Sequence, residues 1–149
     1  MKTRPILPPT YLITSLLAMA VLHYTLPLAK LLSYPLNLIG IVPLALGSAF
    51  NLIADAAFKR YGTTVKPFKE SSALITTGVF RLSRHPMYLG MVLILLGVAL
   101  LLGTLTPFVI VVGFAILLDW IFIRSEEKML EAKFGRTWLE YKAKVRRWI

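Results

Sequence analysis

The sequence predicts an all-α, polytopic membrane protein, with about four transmembrane helices and a C-terminal amphipathic helix at the membrane interface. Three observations point there. Of the 149 residues, 57% are hydrophobic, above the ~45–50% of soluble domains, and the mean hydropathy is +0.72. Apolar stretches of about twenty residues recur, the length that crosses a hydrocarbon core of ~30 Å as a helix. Finally, Lys and Arg gather in an N-terminal stub, a central loop and a C-terminal segment, leaving only Lys30 on the opposite side of a four-span arrangement.

The same composition excludes several classes of function. With no cysteine, disulfides, thiolate metal sites and cysteine nucleophiles are ruled out. Two histidines, His23 and His85, are too few for a protein-only metal centre, so no metal is expected. The formal net charge of +10 lies beside the spans, where it reports topology and contact with anionic lipid rather than nucleic-acid binding. The length fits one domain, 1–149.

Met1–Thr10 carries Lys2 and Arg4 but no long apolar core with a small-residue cleavage site, and is expected to be a retained cytosolic stub. Span one is placed at about 11–32, interrupted by His23 and by Pro27, which kinks the helix or marks an interfacial break. His23 either lines a cavity or, more simply, bonds a neighbouring helix as a neutral imidazole. Tyr34-Pro35-Leu36-Asn37 is a turn signal, and span two follows at about 38–58. Its Gly40, Gly47, Ser48 and Ala49 permit close helix–helix approach. Asp55 inside it is a functional candidate by position, but it also lies four residues before Lys59, the spacing of a helix-end ion pair.

The cytosolic loop 59–85 opens on a basic helix end with Gly62, continues through an extended Thr63–Pro67, and reaches a short interfacial element at Leu74–Phe80. Span three is placed at 86–103 and span four at 107–123, joined by the tight turn Thr104–Pro107 into an antiparallel hairpin. Beyond Arg124, the segment 124–149 is heavily charged and broken at Phe134-Gly135. In it Trp138, Tyr141, Val145 and Trp148 recur at helical spacing among lysines and arginines, as expected of a helix lying on a membrane surface. The distribution of basic residues puts both termini in the cytosol.

The chemistry concentrates in Arg84-His85-Pro86-Met87-Tyr88-Leu89-Gly90. Proline belongs in the first turn of a helix, so Arg84 and His85 sit at a helix mouth whose free N–H groups favour anions. Glu126 and Glu127, just past span four and with Asp119 two turns earlier, are brought to the same end by the short turn. Such a pocket would fit a ligand carrying a carboxylate, an ammonium and a flat ring. The plainer alternative is that Arg84 and Glu126 form an interfacial ion pair holding the hairpin, although surface pairs contribute only ~0–1 kcal/mol.

Two blocks of the chain resemble a known family. The first runs from Gly62-Thr63-Thr64 and Pro67 through Leu74–Arg81 to Arg84–Gly90. The second comprises Glu126–Leu130, Phe134-Gly135, Tyr141, Val145 and Arg146–Ile149. Flanking an apolar hairpin in this order, they resemble the membrane-embedded methyltransferases grouped with isoprenylcysteine carboxyl methyltransferases and phospholipid N-methyltransferases. The resemblance implies an enzyme that uses S-adenosyl-L-methionine and releases S-adenosyl-L-homocysteine. It implies a cofactor site of His85, Tyr88, Gly90, Glu126 and Glu127, covered by the segment 124–149, and catalytic roles for Arg84, Glu127 and Arg147, with Arg146 or Arg147 covering the cofactor. The acceptor it implies is lipophilic or membrane-delivered, such as an isoprenylcysteine-like carboxylate or a phospholipid amine. Methyl transfer from a sulfonium is an in-line displacement, accelerated mainly by alignment and exclusion of water. A non-catalytic carrier or lipid-surface anchor on the same scaffold is the competing expectation.

Overall fold

The computed structural model describes residues 7–63 and 71–149. In chain order these form α1 (Pro8–Thr25), a 3-10 turn (Leu36–Gly40) leading into α2 (Ile41–Arg60), a second 3-10 turn (Gly78–Arg81), α3 (Pro86–Leu102), α4 (Leu105–Leu118), a π-helical turn (Asp119–Ile123) and α5 (Arg124–Lys144). Among the described residues there is no β-strand, only an isolated bridge between Lys30 and Thr104. Two helical stretches, Leu36–Arg60 and Leu105–Lys144, are long and apolar enough to cross a membrane. Only 11% of the first one's apolar window is buried, whereas the core helix of a soluble protein is mostly buried. The N-terminal residues Lys2 and Arg4 and the extended stretch expected around Thr64–Pro67 lie outside the described residues.

α3 is the central helix, and glycine lets it be so. Gly40 and Gly47 lie seven residues apart before and within α2; Gly90 and Gly97 lie seven apart on α3. In the antiparallel pair Gly40 meets Gly97 and Gly47 meets Gly90, so both contacts fall in register. A Cβ on Gly97 would sit 2.7 Å from the Gly40 carbonyl oxygen and from Leu44, closer than real Cβ contacts come. This is close backbone approach through small residues, as the sequence anticipated on the α2 side. On its other side α3 presents Leu95 and Ala99, both fully buried, to Met19 of α1 and to Val111, Phe114 and Leu118 of α4.

α3 ends on Gly103 in the left-handed conformation (φ 71°), and α4 starts two residues later, giving the expected hairpin. The first expected span is shortened. α1 stops at Thr25, not near residue 32, because Pro27 supplies no N–H and disfavours helix before it. The chain instead runs extended beside the hairpin turn, where the Leu31 and Leu32 N–H groups donate to the Gly103 carbonyl (2.8 and 3.0 Å) and Leu105 N–H to Ala29 (3.0 Å). His23 bonds Thr104 Oγ1 through Nδ1 at 2.8 Å, the plain structural role. Asp55 likewise pairs with Lys59 at 2.6 Å on the surface.

The last segment differs most from expectation. α5 turns sharply at Gly135 (φ 48°, ψ −119°) and ends at Lys144, leaving Val145 extended. Trp138, Tyr141 and Val145 do not face outward towards lipid. They are buried in a second core with Ala54, Ile75 and Phe80, where the Tyr141 hydroxyl donates to the Phe80 carbonyl at 2.6 Å. A bulky apolar stripe looks the same in sequence whether it meets lipid or protein; the reversal at Gly135 decides the matter by folding the stripe back.

The glycine seam makes a sharp prediction. Gly97→Val should lower stability in detergent by about 3 kcal/mol or abolish folding, because backbone rather than a flexible side chain blocks the new methyls. Gly113→Ala, with nothing within 4 Å of the added carbon, should stay within about 1 kcal/mol of the parent. Thermal unfolding of both variants checks this.

Candidate active site

The N-terminus of α3 is built by proline and by a borrowed hydroxyl. Pro86 occupies the first turn, where no N–H is needed. The fully buried Ser83 accepts the His85 backbone N–H at its Oγ (3.1 Å) and donates to the Arg147 carbonyl (3.1 Å). The Arg84 N–H donates to the Arg146 carbonyl at 3.1 Å. The last residues of the chain are therefore strapped across the helix mouth.

Beneath that strap lies Glu127, 7% exposed at its side chain and held from three sides. Arg147 grips it in a fork, Nε to Oε1 at 3.1 Å and Nη2 to Oε2 at 2.7 Å. Arg84 Nη2 reaches Oε1 at 3.1 Å and His85 Nε2 reaches it at 3.4 Å. Burial by itself would raise the Glu127 carboxyl; the His85 and Arg147 hydrogen bonds and the Arg84 charge outweigh it and hold the group down at about 2. His85 is opposed in the same way. Burial would lower it, but Glu126 (3.6 Å from Nδ1) and Glu127 outweigh burial, so the imidazole is raised above its ordinary value. Burial moves the Arg84 guanidinium downward, with Arg147 adding to the effect and Glu127 opposing it; it stays charged at any ordinary pH. Arg147 also bonds Asp119 (3.0 Å), which in turn holds Arg124 (3.0 Å).

Glu126 stands apart from this knot. The Tyr88 hydroxyl donates to its Oε1 at 2.5 Å, and the Tyr88 ring stacks on His85 with centroids 5.8 Å apart. Arg84, His85, Tyr88 and Glu126 all line one cavity of about 690 Å³, in the size range of small-molecule sites, ~300–1,000 Å³. Trp138 and Tyr141 from beyond the Gly135 turn close one wall, and Met87, Met91 and Met129 contribute to an apolar wall reaching Pro8 and Phe58. Two of the lining residues, Arg84 and Trp138, carry buried donors without hydrogen-bond partners among the described residues, Arg84 Nε and Nη1 and Trp138 Nε1, and the Arg84 guanidinium lies over the Trp138 ring at 5.7 Å. Buried donors are normally satisfied, so these three stand out.

The structure thus brings together Arg84, His85, Tyr88, Glu126, Glu127 and Arg147, six of the seven residues singled out from the sequence. It separates their positions. Glu126 faces the cavity, whereas Glu127 lies behind the wall with its oxygens taken up by cations. The expected Arg84–Glu126 ion pair is replaced by Arg84–Glu127. Gly90 does not line the cavity; it faces α2, where an added carbon would meet Asn51 and the Gly47 carbonyl. Trp138, Tyr141 and Ser83 were missed. The break at Phe134-Gly135 was the available signal, since an aromatic pair after a chain reversal is aimed back at the protein.

The family model for phospholipid methyltransferases matches residues 36–137, more than half of the chain. The chain belongs to this family. The matched region runs from α2 through the hairpin to the Gly135 turn, and so contains the Arg84–Gly90 and Glu126–Glu127 blocks. The chain is also similar to the protein-S-isoprenylcysteine O-methyltransferase of Saccharomyces cerevisiae, 37% identical over 133 residues that cover 82% of this chain and 54% of that protein. It thus spans about half the length of that relative. An uncharacterized protein of Haemophilus influenzae is 43% identical over 63 residues, 42% of this chain and the whole of that protein. No solved structure matches the chain.

The Glu127 knot has a pH signature. Its folded value of about 2 lies below the ordinary 4.5, so its contribution to stability is complete above the ordinary value and is lost as pH falls through the folded one. Glu127→Gln strands two arginines and should cost about 3 kcal/mol at neutral pH. The gap between variant and parent in thermal unfolding should narrow as pH drops below about 4.5; a gap constant across that range would contradict the assignment.

Proposed function

We propose that this member of the phospholipid methyltransferase family is an integral-membrane, S-adenosylmethionine-dependent methyltransferase. Its cofactor would occupy the cavity at the mouth of α3, and its acceptor would be lipophilic. The observation that carries this reading is the meeting, around one cavity, of Arg84 and Trp138, whose donors lack partners among the described residues, with the carboxylate of Glu126. The residues fit the ligand: Arg84 and Trp138 would hold its carboxylate, Glu126 its ammonium, and the rings of Tyr88, His85 and Tyr141 offer aromatic faces for its adenine.

When bound, S-adenosylmethionine supplies an electrophilic methyl group on a sulfonium. The protein's task is alignment and exclusion of water, which the largely apolar wall performs. Tyr88 orients Glu126 by its hydroxyl. Glu127 and Arg147, expected from the resemblance to be catalytic, act in this reading as positioning residues that hold Arg84 and the C-terminal strap over the helix mouth. A carboxylate acceptor, of the kind in the yeast relative's name, needs no proton removed, only a cation to position it. An amine acceptor, as on some phospholipid headgroups, must lose a proton, which passes to water, since the carboxylates beside His85 favour its protonated form.

In the membrane we place four spans, formed by α1, α2, α3 and α4 with the turn 119–123, so that both termini and the cavity share the cytosolic side. The segment 124–149, two helical arms joined at Gly135 and an extended end, covers the cavity from that side.

Calorimetric titration with S-adenosylhomocysteine in detergent should give binding that Glu126→Gln and His85→Ala each weaken at least tenfold, about 1.4 kcal/mol. Unchanged affinity in both, with folded protein, would sink the cofactor site. Incubation of labelled S-adenosylmethionine with a membrane lipid extract then identifies the acceptor. Topology is tested separately, because the chain has no cysteine. Ser33→Cys and Lys144→Cys should react with an impermeant maleimide from opposite sides of sealed vesicles; labelling from one side would overturn the four-span arrangement.

A further inference from the structure

On the far side of Glu127 from the cavity lies a second concavity, which the proposed reaction does not use. This groove, about 430 Å³, is lined by Arg124, Glu127, Lys128, Glu131, Lys142 and Arg147. Gly135 creates it. Along a straight helix Glu131 and Lys142 would stand about 16 Å apart, yet after the turn their side chains approach to 3.5 Å. The groove therefore has one wall from each arm of α5. Four of its six residues are cationic and two are anionic, and Glu127 is already claimed by arginines on both sides. Lys142 meets Glu131 only at the edge of hydrogen-bonding distance, with both side chains well exposed, a pair of little strength. Lys128 is exposed and has no partner among the described residues.

The depth of the groove is marked by Trp120. This residue is 68% exposed and carries the Arg124 guanidinium over its ring at 4.9 Å. An outward-facing tryptophan at the end of an apolar helix, capped by a cation, sits at the headgroup layer. Arg124 is one turn further on and already lines the groove, so the groove opens at the level of lipid phosphates.

We propose that this groove binds the phosphate of an anionic lipid headgroup, bridging Lys128 on the first arm of α5 to Lys142 on the second. The first arm's Arg124 and Lys128 are balanced in charge by Glu127 and Glu131, so the groove's surplus of two positive charges comes from Lys142 and Arg147 on the second arm. A bound phosphate takes up that surplus and adds a Lys128–phosphate–Lys142 bridge to the Glu127–Arg147 and Glu131–Lys142 pairs that already join the arms. Trp138 and Tyr141, which wall the main cavity, ride on the second arm, so the lipid stiffens that wall.

The test uses the full chain in nanodiscs of phosphatidylcholine alone or of equimolar phosphatidylcholine and phosphatidylglycerol, and does not depend on cofactor binding. Native mass spectrometry should find phosphatidylglycerol retained in preference to phosphatidylcholine, and its presence should raise Tm by about 2–4 °C. The double variant Lys128→Gln/Lys142→Gln should keep the parent's Tm in phosphatidylcholine and lose both effects. A control of equal charge loss outside the groove, Arg136→Gln/Lys144→Gln, should keep both. Loss in both double variants would reduce the effect to overall charge and overturn the site, as would retention in the groove variant. An equal rise in Tm from inorganic phosphate in phosphatidylcholine discs would overturn the lipid in favour of free phosphate.

Discussion

A single buried carboxylate organises the cytosolic end of this molecule. Glu127 accepts from Arg147 and Arg84 and meets the imidazole of His85. The partners come from two distant parts of the chain, Arg84-His85 and Arg147, so one carboxylate ties the start of α5 to the start of α3 and to the C-terminal strap. Burying a charge is costly unless its lone pairs are filled, and here they are filled by charged donors. The arrangement has a second consequence. With Glu127 drawing on one edge of the Arg84 guanidinium, the remaining Nε and Nη1 donors stay desolvated and have no partner among the described residues. The ion pair thus fixes the Arg84 guanidinium beside the cavity.

That placement requires α3 to stand still, and the glycine seam holds it. A close antiparallel contact between backbones, repeated once along the pair, fixes the rotation of α3 about its axis as well as its height. Rotation matters because His85, Tyr88 and Met91 lie on the cavity side while Gly90 and Gly97 lie on the α2 side. Gly90 supports the site by letting α2 approach. The π-helical turn at Asp119–Ile123 adjusts the other wall: the extra residue per turn shifts the register between α4, whose Phe114 and Leu118 fill the core, and α5, whose Glu126 reaches the cavity.

The cavity has two characters. Its lining joins Arg84, His85 and Glu126 and several aromatic rings with proline, methionine and phenylalanine side chains. Methionine adapts its shape to irregular apolar ligands, and three of the five in the chain converge here. A cavity of this mixed lining suits the zwitterionic cofactor and apolar acceptor proposed for it.

The sequence by itself determined the helical architecture, because runs of apolar residues leave backbone groups no partners but their own. It also determined the helix mouth at Pro86, the hairpin at Thr104, the Asp55–Lys59 pair and the two polar blocks. These are local: proline, glycine and residues four apart act within one or two turns. Only the tertiary structure decided what the polar residues do with each other. Adjacent Glu126 and Glu127 are indistinguishable in sequence, yet a rotation of about one-quarter turn between neighbours puts one in the cavity and the other in the ion-pair knot. Arg84 accordingly pairs with Glu127. Trp138, Tyr141 and Val145 have the spacing of a lipid-facing stripe, and the positive φ at Gly135 turns them into a protein core. Hydrophobic periodicity records that a face is apolar; what covers that face depends on the path of the chain, which a single backbone reversal can redirect.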